Sequence, residues 1–382
     1  MYKKESSYRL RTIFYGRAKA IAIISIILII SISYGLFFYF QDITERNIKN
    51  NLFAQQRDRQ IDTTRTLSQH IGSDLGLVEA RLESLSNSVL LQQGDLTSNK
   101  TKALIQTNFL NIDSIVDHLF VVNKNNAITI DIAIKGAKTF VGSNVSQREY
   151  VIKAEQTLAP VFSSIFTGLD GKYRIGISYP IVSMHTGQYI GIVGTVIPTE
   201  SFFAHYGNIH DINSRFLVVF DRNGAMLASG ASKTVVGKSF FGDVTQRFID
   251  YNPTLNNLTR SLLAGNSGYA VYDYGRGERI TTQHPIFVNS KPVYYVQIVQ
   301  PTAPIYSRLN DILLSQRIET FSLLAGATVA IVLLIVFLSK WSTLLGKEVR
   351  RRTRELELSN EEIRVHLNLV ESELERFKRR PM

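Results

Sequence analysis

Residues 161–197 read VFSSIFTGLDGKYRIGISYPIVSMHTGQYIGIVGTVI and carry the strongest signal of the fold. The stretch contains apolar runs at 161–166, 172–179 and 189–197, which are separated by the polar, glycine-containing clusters GLDG and HTGQ. Short apolar runs divided by turn-forming residues are typical of antiparallel strands. The stretch therefore predicts neighbouring strands of one sheet.

The sequence before these strands completes an α+β module over about residues 94–200. Apolar runs at 119–122 and 127–134 flank the polar turn 123–126, which predicts a hairpin. A short helix is predicted at 147–156.

A long helix is predicted ahead of this module, over residues 41–93. Its apolar residues recur at alternating spacings of four and three, the pattern of a helix that packs along its length. Residues 92–95, Gln-Gln-Gly-Asp, are predicted to end it. The seam consists of Ile71, Leu75, Val78, Leu82, Leu85 and Val89.

The same order of elements recurs in a smaller version over about residues 210–304. A hairpin is predicted around the turn 221–224, followed by helical sequence at 240–264. The predicted strands of this second module are 216–220, 225–228, 268–272, 279–287 and 293–299.

Two stretches without a charged residue, 20–40 and 320–339, have about the ~20 residues needed to cross ~30 Å of hydrocarbon. A cleaved signal peptide and a buried core helix are the alternatives. No small-residue cleavage site follows the first stretch, and the second is apolar on every face. We therefore interpret both as transmembrane helices.

The net charge of the 382-residue chain is +11, and its distribution predicts a topology. Residues 1–19 carry +5, residues 41–319 carry +3, and residues 340–382 carry +3, with +5 concentrated in 340–354. Because cytoplasmic flanks of membrane helices are enriched in Lys and Arg, we expect a two-pass cell-membrane protein with both termini cytoplasmic. Nucleic acid is not needed as a partner to explain the charge.

The exterior region, about residues 41–310, resembles the double Cache family of extracellular sensor domains. The resemblance is carried by SQREY at 146–150, PVFSS at 160–164, GISYPI at 176–181, GIVG at 191–194 and the hairpin 218–228. It implies a long helix followed by two tandem PAS-like antiparallel-sheet modules. It also implies a dimeric sensor that binds a small molecule in the membrane-distal module.

In the amino-acid-binding branch of that family, an Arg and an aromatic residue two positions later hold the ligand carboxylate, and a later acid holds the amine. Arg148 and Tyr150 match the first part, but Thr195-Val196-Ile197 stands where the acid should fall. The resemblance therefore implies an anion clamp, and a small organic anion is the expected ligand. The predicted ligand-binding residues are Arg148, Tyr150, Phe162, Ser164, Tyr173 and Tyr179.

Each of these assignments has a structural alternative. Arg148 could be a surface residue paired with Glu149 or Glu155. Tyr173 and Tyr179 have the same parity on one strand, so both could face the core.

The sequence contains no catalytic motif. Cysteine is absent, which excludes thiolate metal sites and cysteine nucleophiles. Asp221, Asn223 and Gly224 match part of a calcium loop, but its closing Glu is missing and a plain hairpin turn is favoured. We expect a protein without catalytic residues, metal or cofactor. His366 is followed by 16 residues, too few for the ATP-binding domain of a kinase.

The C-terminal segment 340–382 has the heptad pattern of a coiled coil. Asn360 at an inner position favours a parallel pair, whereas the basic run 350–354 allows an amphipathic helix on the membrane. The two series of heptad positions are Val349, Leu356, Ile363, Val370, Phe377 and Thr353, Asn360, Leu367, Leu374.

These observations predict a homodimeric transmembrane receptor. A small ligand would bind the distal module, and the second span would pass the signal to the coil and a cytoplasmic partner such as a kinase. One alternative is the sensor half of a histidine kinase or diguanylate cyclase lacking its output domain. Another is a membrane-tethered binding protein that does not signal.

Overall fold

The computed structural model describes residues 2–208, 211 and 213–378, with side chains omitted for 2–20, 22–23 and 373–378. The predicted α+β class is confirmed: a long helix lies at each end of the chain, with two antiparallel sheets between them. The chain forms two compact units, Met1–Leu309 and Asn310–Met382, and both sheets belong to the first.

Helix α1, Tyr2–Ser86, is the support on which both sheets pack. Its seam residues Ile71 to Leu85 are at most 1% exposed, because they contact strands of both modules. The predicted extension to residue 93 is wrong. Helix α1 ends at Ser86, Ser88 caps the separate short helix α2, Val89–Gln92, and Val89 is 58% exposed.

The distal sheet has the order β2-β1-β6-β5-β3, with β4 pairing to β5. Side chains alternate along its strands: Ile175 and Ile177 face α1, whereas Gly176 faces Tyr150 of α4. The sheet is therefore covered on both faces. Its elements are α3 Asn99–Phe109, β1 His118–Asn123, β2 Ile128–Ala133, α4 Glu149–Thr157, β3 Val161–Phe162, β4 Phe166–Thr167, β5 Tyr173–Val182, β6 Tyr189–Pro198 and α5 Thr199–Tyr206.

The proximal sheet has the order β8-β7-β11-β10-β9. Helix α7 covers it with a buried face that includes Leu255, Leu258 and Leu262, and Asn252 caps this helix ahead of Pro253. The elements are β7 Phe216–Phe220, β8 Met226–Ser229, α6 Asp243–Phe248, α7 Pro253–Leu263, β9 Gly268–Tyr272, β10 Arg279–Val288, β11 Lys291–Pro301 and α8 Ala303–Lys378.

Helices α1 and α8 each contain a stretch long and apolar enough to cross a membrane, and these stretches are not buried by protein. The basic N-terminal tail and the heptad residues Leu374 and Phe377 fall where side chains are outside the described residues. Helices α3 and α5 were not predicted. Helix α3 buries just Thr101, Ile105 and Phe109 of its 11 residues, which leaves a weak apolar pattern.

Candidate functional site

A small cavity lies between the distal sheet and α4. Its volume is about 30 Å³, which is room for about one water molecule. Its walls combine aromatic rings with ionisable side chains. The lining residues used below are His118, Phe120, Asp131, Phe140, Arg148, Tyr150, Phe166, Arg174 and Val196.

Arg148 enters this cavity from the N-cap position of α4. Its guanidinium lies 4.7 Å from the centre of the Phe166 ring and donates to the Thr167 carbonyl at 3.1 Å. Glu149 does not bind it: that carboxylate accepts from Lys153 at 2.5 Å and from the Ser164 amide at 2.7 Å. A guanidinium has five N–H donors, so Arg148 retains donors for a ligand.

Tyr150 is 3% exposed and packs between Phe120 and Phe166, with ring centroids 6.0 and 5.7 Å away. Its ring covers Gly176 so closely that a Cβ atom there would lie 2.4 Å from it. Burial raises the pKa of Tyr150 to about 12, while nearby Arg148 lowers and Asp131 raises the same pKa. The hydroxyl is therefore neutral and lies within the influence of both charges.

Asp131 and His118 form a buried pair on the strands that line the cavity. Phe120 of β1 lies opposite Asp131 of β2. His118 lies two residues before Phe120 on β1, so both side chains are on the same face of the sheet. His118 Nδ1 is 3.1 and 3.3 Å from the two Asp131 oxygens, and the Phe140 amide donates to Asp131 at 2.7 Å. Both side chains are at most 3% exposed. The carboxylate is thus held in place inside the protein.

Arg174 is a third buried charge, at the edge of the cavity. It donates to Asp117 at 2.7 Å and to Asp170 at 2.6 Å. The hydrogen bond from Arg174, with a smaller contribution from the Lys172 amide, lowers the pKa of Asp170 to about 2. Both carboxylates bind the guanidinium, so its role here is structural.

The six predicted ligand residues do not form one pocket in this arrangement. Arg148 and Tyr150 line the cavity together. Phe162 packs on the α1 face of the sheet, and the Ser164 hydroxyl accepts from Asn223 at 2.9 Å. Tyr179 packs on the same core as Phe162, and its hydroxyl donates to Glu83 at 3.1 Å.

Tyr173 lies instead in a larger cleft of about 720 Å³ between the two modules. It is 39% exposed, so the expectation that it shares the core position of Tyr179 is wrong. The ion pair of Lys233 with Glu200, at 2.8 Å, also borders this cleft.

Asp131 and His118 were missed by sequence reasoning. The acid was sought after Gly194, where Val196 lines the cavity and the Thr195 hydroxyl donates to the His118 carbonyl. The available signal was a single charged residue, Asp131, in the strand ITIDIA at residues 128–133.

Residues 75–198, which hold this cavity, match the family model described as HK/GC/chemotaxis protein-like, sensor domain. Over this segment the chain is similar to that family of sensor domains. The double Cache resemblance is thereby confirmed. No curated protein matches the chain.

Solved structures show similar folds. The extracellular domain of the proposed histidine kinase mmHK1S-Z3 is 12% identical, with a TM-score of 0.51, and the match covers 68% of this chain and 98% of that one. At this identity the likeness shows a shared fold.

Two further structures are similar at lower scores. The ligand-binding domain of the Pseudomonas aeruginosa PAO1 amino acid chemoreceptor PctB, in complex with L-Gln, is 14% identical, with a TM-score of 0.48 and coverage of 68% and 98%. An extracellular ligand-binding receptor from Desulfohalobium retbaense DSM5692 is 16% identical, with a TM-score of 0.49, and the match covers 62% of this chain and 39% of that receptor.

Proposed function

We propose that this chain is a transmembrane sensor whose distal cavity opens to bind a small organic acid. The observation that carries the proposal is the placement of Arg148 and Asp131 in one sensor-domain cavity, which Tyr150 also lines. Arg148 would pair with an anionic group of the ligand. Asp131 would accept a hydrogen bond from an amine or hydroxyl group of the same ligand.

Asp131 changes the expected ligand class. The sequence disfavoured an amino acid because no acid follows Gly194, but β2 supplies a carboxylate to the same cavity. The proposed class is therefore a small acid that also carries an amine or hydroxyl donor.

Binding requires an opening motion, since the cavity has room for about one water molecule. The wall most suited to move is Phe166 with Gly168 and Leu169, because Leu169 is 54% exposed and Arg148 holds Phe166 and Thr167 from inside. A ligand that engages Arg148 would compete with these contacts and favour the open state. Ligands shift such an equilibrium by their difference in affinity for its two states.

We further propose that the chain has membrane spans at 20–40 and 320–339, sensor modules at about 94–200 and 210–304, and cytoplasmic termini. Homodimerisation through the coil is supported by exposed apolar heptad residues. Val349, Leu356, Ile363 and Val370 are 54–64% exposed in the single chain, and contiguous exposed apolar surface marks an interaction site. A cytoplasmic partner such as a kinase would read this coil.

Calorimetry on the full chain in detergent tests the proposed ligand class. The panel consists of small acids with and without an amine or hydroxyl donor. Arg148→Ala should weaken binding of the best compound by about 100-fold, as expected for loss of a charge-assisted pair. Arg260→Ala is the matched control, because Arg260 also lies over an aromatic ring, 5.2 Å from Phe241, in the other module. Unchanged affinity after Arg148→Ala would refute the site.

Asp131→Asn tests the second contact. This substitution should weaken the binding of compounds that carry an amine or hydroxyl donor more than the binding of compounds that carry only the acid group. Equal loss for both groups of compounds would assign Asp131 to structure rather than to recognition.

A further inference from the structure

The turn between β7 and β8, whose residues match part of a calcium loop, contacts the distal module. The Asp221 carboxylate is 1% exposed. Its Oδ1 accepts from the amides of Asn223 and Ala225 at 2.9 Å each, and its Oδ2 accepts from the Ile165 amide at 3.2 Å. Amide donors therefore occupy both oxygens. Strands β7 and β8 pair across this turn, which confirms the predicted hairpin.

Two other proximal residues bind the same distal segment. Asn223 Nδ2 donates to the Ser164 hydroxyl at 2.9 Å. The buried Tyr294 of β11 donates to the Ser163 carbonyl at 2.9 Å and packs edge-on against Phe162. Residues 162–165, the coupling segment, thus contact the proximal module at every position.

The coupling segment is equally tied to the candidate ligand site. The Ser164 amide donates to Glu149, the residue between Arg148 and Tyr150, at 2.7 Å. The Ser163 hydroxyl accepts from the amide of Gly176, the residue that Tyr150 covers, at 2.8 Å. Phe166, the ring beneath Arg148, follows the segment directly.

We propose that Asp221, Asn223 and Tyr294 are positioning residues that couple the distal ligand site to the proximal module through the coupling segment. The inference rests on the proposed function for its ligand. Opening the cavity by moving Phe166 displaces Ile165 and Ser164. Either their bonds to the proximal turn break, or that turn moves with them. Ligand binding and proximal arrangement therefore influence each other, and the coupling is reciprocal.

Three variants remove one contact each. In Asp221→Asn, the amide oxygen can still accept from Asn223 and Ala225, while its NH₂ group cannot accept from Ile165. Asn223→Ala removes the donor to Ser164, and Tyr294→Phe removes the donor to Ser163. Asp243→Asn, at an exposed acid of the same module, is the control.

Hydrogen exchange on the ligand-free full chain in detergent is the first measurement. The three variants should each raise the exchange rate about tenfold, in amides of 162–166 and of 148–152, whereas Asp243→Asn should not. Faster exchange confined to the proximal turn, or none, overturns the proposal. This readout needs no ligand, so its outcome is independent of the ligand screen.

Affinity is the second measurement, with the best acid from the panel. Each coupling variant should change its Kd by about fivefold or more, with Arg148 intact. Ligand should in turn change the exchange rate at 221–225 in the unmodified chain, and change it less in Asp221→Asn. Unchanged Kd together with unchanged exchange at the turn would overturn the coupling, even where Arg148→Ala confirms the ligand site.

Discussion

The two modules share a sheet-and-helix architecture but differ in what surrounds their cavities. The distal cavity, about 30 Å³, is lined by Arg148, Asp131, His118 and Arg174 among its aromatic rings. The proximal cavity, about 40 Å³, has no Asp, Glu, Lys, Arg or His among its described lining residues. The hydroxyl of Tyr272, one of its polar lining residues, instead forms a 2.7 Å hydrogen bond with the neighbouring Thr281 hydroxyl.

The difference supports the proposed placement of ligand binding in the distal module. Burying an ionisable group lowers stability unless it is paired, and an apolar core would stabilise the same sheet equally well. The lining of the proximal cavity has such an apolar core, and the buried Asp221 and Arg279 of that module lie outside this lining. The buried pair of Asp131 with His118 in the distal cavity therefore indicates a role other than stability, and the proposed ligand supplies one.

The largest effect should come from breaking the buried distal pair. Asp131→Ala leaves His118 and the Phe140 amide without their acceptor, so the free energy of unfolding should fall by about 3 kcal/mol. Replacing both partners, His118→Leu with Asp131→Leu, should recover most of this loss while ligand binding stays lost. Denaturant titration of the full chain measures both, with the exposed Asp113→Ala as control. A double variant no more stable than Asp131→Ala would contradict the view that these charges serve binding.

A smaller loss is expected from adding one methyl group under Tyr150. In Gly176→Ala the new Cβ would lie 2.4 Å from the Tyr150 ring, and overpacking of this kind costs about 1–3 kcal/mol. Ligand affinity should fall with it, because the ring shifts beside Arg148. The control comes from the other module: at Gly268, also on a strand, the nearest atoms to an added Cβ are 4.0 Å away. Equal losses at the two glycines would remove this contrast between the modules.

The sequence predicts both hairpins and most strands because alternation and turn residues are local signals, but the structure divides the predicted run 161–166 into β3 and β4. Strand β7 and strand β9 are predicted to the residue, at 216–220 and 268–272. The candidate site is predicted less well. Asp131 and Arg148 line the same cavity because β1 pairs with β2 and α4 packs on the sheet, and no local sequence pattern indicates that these two residues are close in space. Tyr173 shows the same limit: parity suggests the core, but its position at the start of β5 leaves it in the cleft between modules.

Acid should weaken the distal module through Asp170. Its pKa in the folded chain, about 2, lies below the ordinary value of 3.8 because Arg174 binds the carboxylate. A depressed pKa stabilises the fold above the unfolded-state value, and this contribution is lost as pH falls from about 4 to about 2. Asp170→Asn should therefore lower the free energy of unfolding by about 1–2 kcal/mol at pH 7 and by less near pH 2. A deficit that stays constant with pH would contradict this.

The smallest effects on stability are expected from removing the hydroxyl of a buried tyrosine, either Tyr272 in the proximal core or Tyr150 in the distal cavity. Tyr272→Phe removes a hydrogen bond inside the proximal core, so it should cost about 1 kcal/mol and leave ligand affinity within about twofold. Tyr150→Phe removes the hydroxyl of a tyrosine that lines the distal cavity together with Arg148 and Asp131. It should therefore weaken ligand binding with little change in stability. Denaturant titration and calorimetry on both variants measure the two quantities. If Tyr272→Phe reduced affinity as much as Tyr150→Phe, recognition would not be confined to the distal cavity, and the proximal core would have to be part of the ligand site.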